Sequence, residues 1–257
     1  EDATKYSINC IYLTSDEKLY VGTDNYGLYM YDNGTFQRVS EMYNLGVSTI
    51  NAMYEDDNKN LWIAASSGIF RLSSDGAEAL ADDVVSGLSV GNISGHGDYV
   101  YAIANNDILI TVDPERHVSI TNKSEYRVDD INSLYVDENG NRYYGSAGYS
   151  ILKIGTDGKN EIINTGNLHG INKIYSDGDN IWALADDGVG YISSKGNVTA
   201  IGGLSFNESM SDMIIDFEGN YWFTSYRKGI LQLERSKFQN VTMKYGIDSS
   251  IVNCVTS

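Results

Sequence analysis

Residues 50–72 read INAMYEDDNKNLWIAASSGIFRL, and this stretch contains three short apolar runs separated by turns. The runs occupy residues 50–54, 61–63 and 69–72, with an acidic turn after the first and a Ser-Ser-Gly turn after the second. Short runs of β-branched and aromatic residues between Asp, Asn and Gly clusters are typical of an antiparallel meander. One small sheet cannot bury both of its faces and is marginal in water. The stretch therefore predicts a sheet that needs neighbours.

The same pattern recurs along the whole chain with a period near forty residues. An aromatic residue stands eleven or twelve positions after the start of each of the first six units, and a loop that usually carries glycine follows it. Such a period with four short strands per unit is typical of a β-propeller rather than a solenoid. The sequence predicts an all-β propeller of four-stranded antiparallel blades, with six complete repeats and the first strand of a seventh. The repeats start near Ile8, Ile50, Val90, Ile131, Ile171, Met210 and Val252.

We interpret residues 1–257 as one propeller domain. Residues 251–257 supply only the innermost strand of a seventh unit. We therefore expect the chain to come from a seven-bladed parent protein that was cut within its last blade. An incomplete blade leaves strand edges unpaired, and unpaired edges invite pairing with another chain. We therefore expect self-association through open blade edges.

Composition excludes several classes of partner. The net charge is −17, from 18 Lys plus Arg against 35 Asp plus Glu, and no basic stripe is visible, which predicts no nucleic-acid partner. No window approaches the roughly 18 consecutive apolar residues of a membrane span. The two cysteines, Cys10 and Cys254, do not form a disulfide framework, and whether they pair is left open.

Three strings carry a resemblance to a known family. They are NAMYED leading to NLWI at 51–63, DENGN at 137–141, and DFEGNYWFTS leading to KGIL at 216–231. These resemble the two-component regulator propeller repeat. The resemblance implies the extracytoplasmic sensor region of a bacterial membrane receptor with a histidine kinase or diguanylate cyclase output. It also implies a small-molecule or oligosaccharide ligand, with glycans as the first choice.

We therefore predict a non-catalytic, ligand-sensing propeller without cofactor or metal, located outside the cytoplasm as part of a membrane-anchored protein. An enzyme is the rival class, because propeller lyases resembling virginiamycin B lyase share a Gly-Asn-x-Trp-Phe-Thr string like that at 219–224. A lyase needs a base beside an acid at the channel mouth. His169 falls on that face, whereas His96 and His117 fall in turns on the opposite one. A protein-interaction scaffold is a third class.

Candidate ligand-binding residues lie where strand direction places them on one face. The starts of first strands, the loops between second and third strands and the connections between blades all share that face. Tyr26, Tyr149 and Tyr226 in these loops can stack on sugar rings, and Arg227 can bind a carboxylate through its guanidinium fork. Because these loop residues differ from blade to blade, they suit a single site better than a repeated residue does.

In most blades, an asparagine follows the first residue of the first strand. These equivalent asparagines are called the asparagine column. A ring of amides could bind a polyol, yet a residue repeated in most blades more often supports the shared fold, and we favour that interpretation. Acidic loop pairs on the same face could collect a cation, but solvated loop tips explain them better. The asparagines included in the predicted site are Asn9, Asn51, Asn132 and Asn172.

Overall fold

The computed structural model describes residues 6–80, 84–178, 180–193, 196, 198–201 and 208–233. These residues form six antiparallel sheets, and in each sheet strands adjacent in sequence are adjacent in space. The predicted all-β propeller of antiparallel meanders is confirmed. The first strand of every described blade begins at the predicted residue, from Ile8 to Met210.

The first three blades have four strands each. Blade one contains β1 (Ile8–Leu13), β2 (Leu19–Thr23), β3 (Leu28–Asp32) and β4 (Thr35–Arg38). Blade two contains β5 (Ile50–Glu55), β6 (Leu61–Ala65), β7 (Gly68–Ser73) and β8 (Gly76–Ala79). Blade three contains β9 (Val90–His96), β10 (Tyr99–Ala104), β11 (Ile108–Val112) and β12 (Val118–Asn122).

The last three blades repeat this order. Blade four contains β13 (Ile131–Val136), β14 (Arg142–Ser146), β15 (Ser150–Ile154) and β16 (Asn160–Asn164). Blade five contains β17 (Ile171–Ser176), β18 (Ile181–Ala185), β19 (Gly188–Ile192) and β20 (Val198–Ala200). Blade six contains β21 (Met210–Ile215), β22 (Tyr221–Ser225) and β23 (Gly229–Leu233). The fourth strand that the prediction of six complete repeats requires, and the predicted start of a seventh blade at Val252, lie outside the described residues.

In the residues that the structure describes, helical structure is confined to single turns. The helix α1 (Val39–Met42) follows blade one, and a 3-10 turn at Lys123–Glu125 follows blade three. Within the described ranges, no helix combines the length and the apolar character needed to cross a membrane.

Apolar side chains from consecutive blades pack into five cores, one between each pair of neighbours. In each core, the second-strand aromatic residue of one blade meets the first strand of the next. Trp182 of blade five, for example, shares a core with Met210 and Met213 of blade six. Each sheet thus gains the apolar cover that a lone meander lacks. The buried second-strand aromatic residues are Tyr20, Trp62, Tyr101, Tyr143 and Trp182.

Cys10 takes part in the first of these cores. An added Cβ at Gly22 would lie 2.6 Å from the Cys10 sulfur and 2.7 Å from Ile50 Cγ2, so the thiol packs toward blade two. Burial raises the pKa of Cys10 to about 11, although a hydrogen bond with Gly22 opposes this shift. The thiol is therefore protonated and unreactive at neutral pH. Cys254, whose pairing with Cys10 the sequence left open, lies outside the described residues.

An aspartate organises the turn between the first two strands in four of the blades. In blade six, Asp216 Oδ1 accepts hydrogen bonds from the backbone amides of Glu218 and Asn220, and Asp216 Oδ2 accepts one from the Trp222 indole at 2.9 Å. The corresponding carboxylates in the other blades are Asp56, Asp137 and Asp177. The short aspartate-to-asparagine turns are thus held by one carboxylate that collects several donors.

These donors predict how blade six responds to acid. The hydrogen bond from Trp222, reinforced by those from Asn220 and Glu218, lowers the pKa of Asp216 from 3.8 to about 2. A carboxylate whose pKa is depressed by folding stabilises the fold above its unfolded pKa, and this contribution is lost as the pH falls through the folded pKa. We expect Asp216→Asn to lower the melting temperature at pH 7, and this difference to shrink between pH 4 and pH 2. Calorimetric scans of both proteins across this range measure it, and a difference independent of pH contradicts it.

Candidate functional site

The face predicted to bind ligand carries the loops between second and third strands. Tyr26 lies in the β2–β3 loop, Tyr149 in the β14–β15 loop, and Tyr226 and Arg227 in the β22–β23 loop. All three tyrosine side chains are exposed. The sequence therefore identified aromatic residues that solvent or a ligand can reach.

The structure does not bring these three tyrosines together. The Tyr26 ring lies 4.2 Å from the ring of Tyr6, and the Tyr149 ring lies 4.9 Å from the ring of His169, measured between centroids. Within the described part of the chain, no ring contact joins any two of Tyr26, Tyr149 and Tyr226. Binding of one ligand by all three rings together therefore stays a prediction, and each tyrosine has neighbours of its own.

Tyr149 lies beside a cleft. It borders an open cleft of about 480 Å³ where blades three, four and five meet. The 3-10 turn after blade three, the connection into blade four, the β14–β15 loop and the connection into blade five supply its walls. The lining residues are Lys123, Val128, Asp129, Asp130, Ala147, Gly148, Tyr149 and His169.

Two glycines make room for carboxylates beside this cleft. An added Cβ at Gly148 would overlap Oδ2 of Asp129, so the carboxylate rests directly on the backbone next to Tyr149. An added Cβ at Gly170 would overlap Oδ2 of Asp186, and the φ of Gly170 is +65°, a conformation that other residues rarely adopt. At Gly170 the backbone conformation itself favours glycine, whereas a side chain at residue 148 would require the Asp129 carboxylate to move.

Hydrogen bonds fix the other polar groups around Tyr149. Lys123 Nζ forms an ion pair with Asp130 Oδ1 across the cleft wall. The backbone amide of His169 donates to Asp187 Oδ1 at 2.9 Å, so this carboxylate holds the histidine loop. The lysine charge is therefore neutralised within the protein, and the cleft presents an excess of negative charge.

The asparagine column serves mainly to join blades. The side-chain amide of Asn9 donates to the carbonyl of Ile50 at 3.1 Å, and that of Asn51 donates to the carbonyl of Val90 at 2.7 Å. Asn172 donates to the carbonyl of Met210 at 3.3 Å and also to Asp186 Oδ1 at 2.9 Å. Each of these three amides reaches the first residue of the following blade. This arrangement supports the structural interpretation, and ligand binding by these residues stays a prediction.

Asn132 departs from the column. Its carbonyl accepts a hydrogen bond from the side chain of Asn92 at 3.0 Å, and its own Oδ1 accepts one from Asn106 at 3.3 Å. In blade three, therefore, the joining amide stands one residue later, at Asn92. The Asn106 side chain also donates to the carbonyl of Ile131 at 2.9 Å.

One group of metal-type ligands occurs among the described residues, and it lies on the opposite face. Asp113, Glu115 and His117 stand in the β11–β12 turn with their ligand atoms within 4.8 Å of one another. His117 Nδ1 lies 3.0 Å from Asp113 Oδ2, so a contact within the group accounts for two of the three residues. As predicted, His117 lies away from the candidate face. Of the acidic loop pairs considered earlier, residues 82 and 83 lie outside the described part.

Sequence reasoning placed Tyr149 and His169 on this face separately, but it did not bring them together and did not identify Lys123. Lys123 comes from blade three and His169 from the connection into blade five, and residue spacing alone does not show that these segments meet at Tyr149. The sequence does hold one signal of this site. A glycine stands directly before Tyr149 and another directly after His169, and in the structure Gly148 and Gly170 each lie against a carboxylate.

Comparison with known proteins agrees with this architecture. The family model described as two component regulator propeller matches residues 44–67, the segment that contains the first two strands of blade two. This match confirms the predicted resemblance at that repeat. A comparison with curated proteins gave no match.

Several solved structures share the fold. The extracellular domain of BT4673 from B. thetaiotaomicron, named as a one component system, is 18% identical with a TM-score of 0.73, and the match covers 91% of this chain and 32% of that one. The extracellular domain of BT3049 from B. thetaiotaomicron, named as a hybrid two component system, is 15% identical with a TM-score of 0.75 and coverages of 93% and 34%. The chain thus spans about a third of the length of these proteins.

Enzymes share the architecture as well. A catalytically inactive virginiamycin B lyase from Staphylococcus aureus, solved with quinupristin, is 14% identical with a TM-score of 0.69 and coverages of 88% and 79%. Identities this low establish the fold and leave activity open. The chain is therefore a β-propeller that carries a two-component regulator propeller repeat in its second blade.

Proposed function

We propose that this propeller is a non-catalytic sensor domain of an extracytoplasmic receptor, and that it binds a neutral oligosaccharide in the cleft at Tyr149. The observation that carries the proposal is the exposed Tyr149 ring, which stands at an open cleft with carboxylates fixed beside it. The similarity to extracellular domains of proteins named as one and two component systems supports the receptor role. The output, whether a histidine kinase or a diguanylate cyclase, belongs to the same proposal.

The ligand class follows from the chemistry of the cleft. A tyrosine ring offers a flat apolar surface with a polar edge, which suits the apolar face of a sugar ring. Carboxylates such as Asp129 accept hydrogen bonds from sugar hydroxyl groups. An acidic sugar would meet Asp129 and Asp130 without a free cation to offset them, because Lys123 is already paired with Asp130. The cleft therefore favours a neutral ligand over a uronic acid.

A binding experiment tests this site. Titration calorimetry of the chain with a panel of neutral oligosaccharides, each beside its uronic-acid counterpart, should reveal binding of a neutral member. Tyr149→Ala should weaken that binding by up to about tenfold, since an aromatic contact worth up to about 1.5 kcal/mol is lost. Tyr99→Ala is the matched control, because Tyr99 is equally a partly exposed tyrosine but begins β10 on the opposite face. Equal affinities of the two variants would place the site elsewhere.

A lyase of similar fold is the second candidate, and the virginiamycin B lyase similarity is its support. His169 borders the cleft and provides a titratable ring beside Tyr149. An acid and a base would both have to act on the bound molecule. Product analysis of the same titrations by mass spectrometry separates the candidates. An unchanged oligosaccharide after prolonged incubation supports sensing. Cleavage by the parent that is lost in His169→Ala assigns the reaction to His169, and cleavage that continues in His169→Ala excludes His169 as the catalyst.

A further inference from the structure

A second cleft lies between blades one and two, on the face opposite the Tyr149 cleft. It is open, has a volume of about 500 Å³ and is walled by the β1–β2, β5–β6 and β7–β8 turns. Tyr43, which directly follows α1, reaches it from the connection into blade two. The buried side chains of Leu61 and Leu72 form an apolar floor. An apolar floor beneath a polar rim is the usual construction of a small-molecule site.

The rim of this cleft contains residues that the repeat does not require. Lys18 stands in the β1–β2 turn and Lys59 in the equivalent turn of blade two. The equivalent turns of the later blades contain no Lys or Arg, and they are residues 97–98, 137–141, 177–180 and 216–220. Among the described residues, an α-helical turn follows blade one only, and it leads into Tyr43. Side chains that occur in one or two blades suit recognition better than they suit the shared fold.

The carboxylates of the rim are already bound within the protein. Asp16 Oδ2 forms an ion pair with Lys18 Nζ at 2.9 Å, and Asp16 Oδ1 accepts a hydrogen bond from the Thr14 hydroxyl at 2.6 Å. Glu55 accepts two hydrogen bonds from Ser15, one from the backbone amide at 2.7 Å and one from the hydroxyl at 3.1 Å. Each of the four carboxylate oxygens therefore has a donor.

The donors of the rim, in contrast, have capacity for a ligand. In the described part of the chain, no hydrogen bond or ion pair engages the Lys59 ammonium or the hydroxyl groups of Tyr20 and Tyr43. Both tyrosines lie near enough to Lys18 to raise its pKa, after the larger effect of its hydrogen bond with Asp16. An ammonium group carries three donors, so Lys18 has donors left after binding one carboxylate. The cleft thus offers ammonium and hydroxyl donors above an apolar floor.

We infer that this cleft is a second binding site, which takes a small carboxylate with an apolar body, such as an aromatic or short aliphatic acid. The apolar body packs on Leu61 and Leu72, and the carboxylate accepts hydrogen bonds from Lys59 and Tyr43. The charged residues that line the cleft are two lysines and two acids, so their charges sum to zero in a chain of net charge −17. An anion therefore meets less repulsion here than over the rest of this acidic protein.

Nuclear magnetic resonance titration of the chain with benzoate and hexanoate, each beside its uncharged amide, tests this site. The acids should shift the backbone amide signals of residues 14–18 and 58–61. Their apparent affinities should exceed those of benzamide and hexanamide by about fivefold, the effect of one ion pair at a partly exposed site. Absence of shifts with both acids at about 20 mM overturns the inference, and so do equal affinities for acid and amide.

Two conservative substitutions identify the donors. Lys59→Gln should weaken benzoate binding about fivefold, and Tyr43→Phe, which keeps the ring, should weaken it about threefold. Lys159→Gln and Tyr99→Phe are the matched controls, because Lys159 is an exposed lysine of the β15–β16 turn and Tyr99 an exposed tyrosine of β10. Equal effects of Lys59→Gln and Lys159→Gln overturn the inference. The Tyr149 cleft is on the other face, so failure here leaves the proposed oligosaccharide site untouched.

Discussion

Replacing Trp182 by alanine is expected to lower the free energy of unfolding by about 3–5 kcal/mol, the usual cost of truncating a buried tryptophan. Trp182 is 5% exposed and shares the core between blades five and six with Met213 and Phe223. Its indole also donates to Asp177 Oδ2 at 2.8 Å, so truncation leaves this carboxylate with one donor fewer. Urea unfolding followed by far-ultraviolet circular dichroism measures the loss.

The control for this substitution is Phe217→Ala in blade six. Phe217 is an aromatic residue of the same blade pair, but it is 99% exposed, so its removal should change the free energy of unfolding by less than about 0.5 kcal/mol. A loss below about 1 kcal/mol for Trp182→Ala would mean that the core between blades five and six is not tightly packed. Equal losses for both variants would show that burial of the aromatic ring does not determine the loss of stability.

The repeat pattern carried most of the information about the fold. A period near forty places Ile50, Val90 and Ile131 at equivalent points, and all three begin first strands and are fully buried. This success has a physical basis, because each blade must bury two faces and therefore repeats the same apolar positions. Strand ends were less predictable. β12 begins at Val118 and continues to Asn122, since ladder pairing with β11, rather than apolar content, sets its length.

The candidate site was predicted only in part. Strand direction alone places Tyr149 on the loop face, and the structure confirms that its side chain is exposed there. The contribution of Lys123 depends on the 3-10 turn, which brings its amine to Asp130 on the next connection. Loops of this kind have no period, so repetition in sequence does not report their contacts. The same reasoning explains why Tyr26 and Tyr226 were grouped with Tyr149, although each stands on a different blade.

The asparagine column shows how repetition distinguishes structural roles from functional ones. Asn9 and Asn51 lie on the face expected to bind ligand, yet each amide donates to a backbone carbonyl of the next blade. A bond repeated between blades fixes the position of one sheet against another, and it leaves little freedom for a ligand. Residues that occur once, such as His169, are better candidates for recognition.

The second large effect is expected at Asp56, in the stretch that first indicated the fold. Asp56 is buried, and its carboxylate accepts hydrogen bonds from the backbone amides of Asn58 and Asn60 and from the Trp62 indole, at 3.0, 2.8 and 2.8 Å. Asp56→Ala leaves these donors without an acceptor, and a buried donor in this state costs about 1–3 kcal/mol. We expect a total loss of about 3 kcal/mol in the free energy of unfolding, because the indole is buried while the turn amides are partly exposed to water.

Asp57→Ala is the matched control, because Asp57 is the next residue in the same turn and is exposed. Removing it deletes the same charge and should change the free energy of unfolding by less than about 0.5 kcal/mol. Asp56→Asn separates charge from geometry, since its remaining carbonyl oxygen can still accept the Trp62 indole while the backbone donors compete for it. Urea unfolding of the three variants should rank them with Asp56→Ala least stable, Asp56→Asn intermediate and Asp57→Ala close to the parent. Equal stabilities for Asp56→Ala and Asp57→Ala would show that net charge, rather than the carboxylate of Asp56, holds the turn.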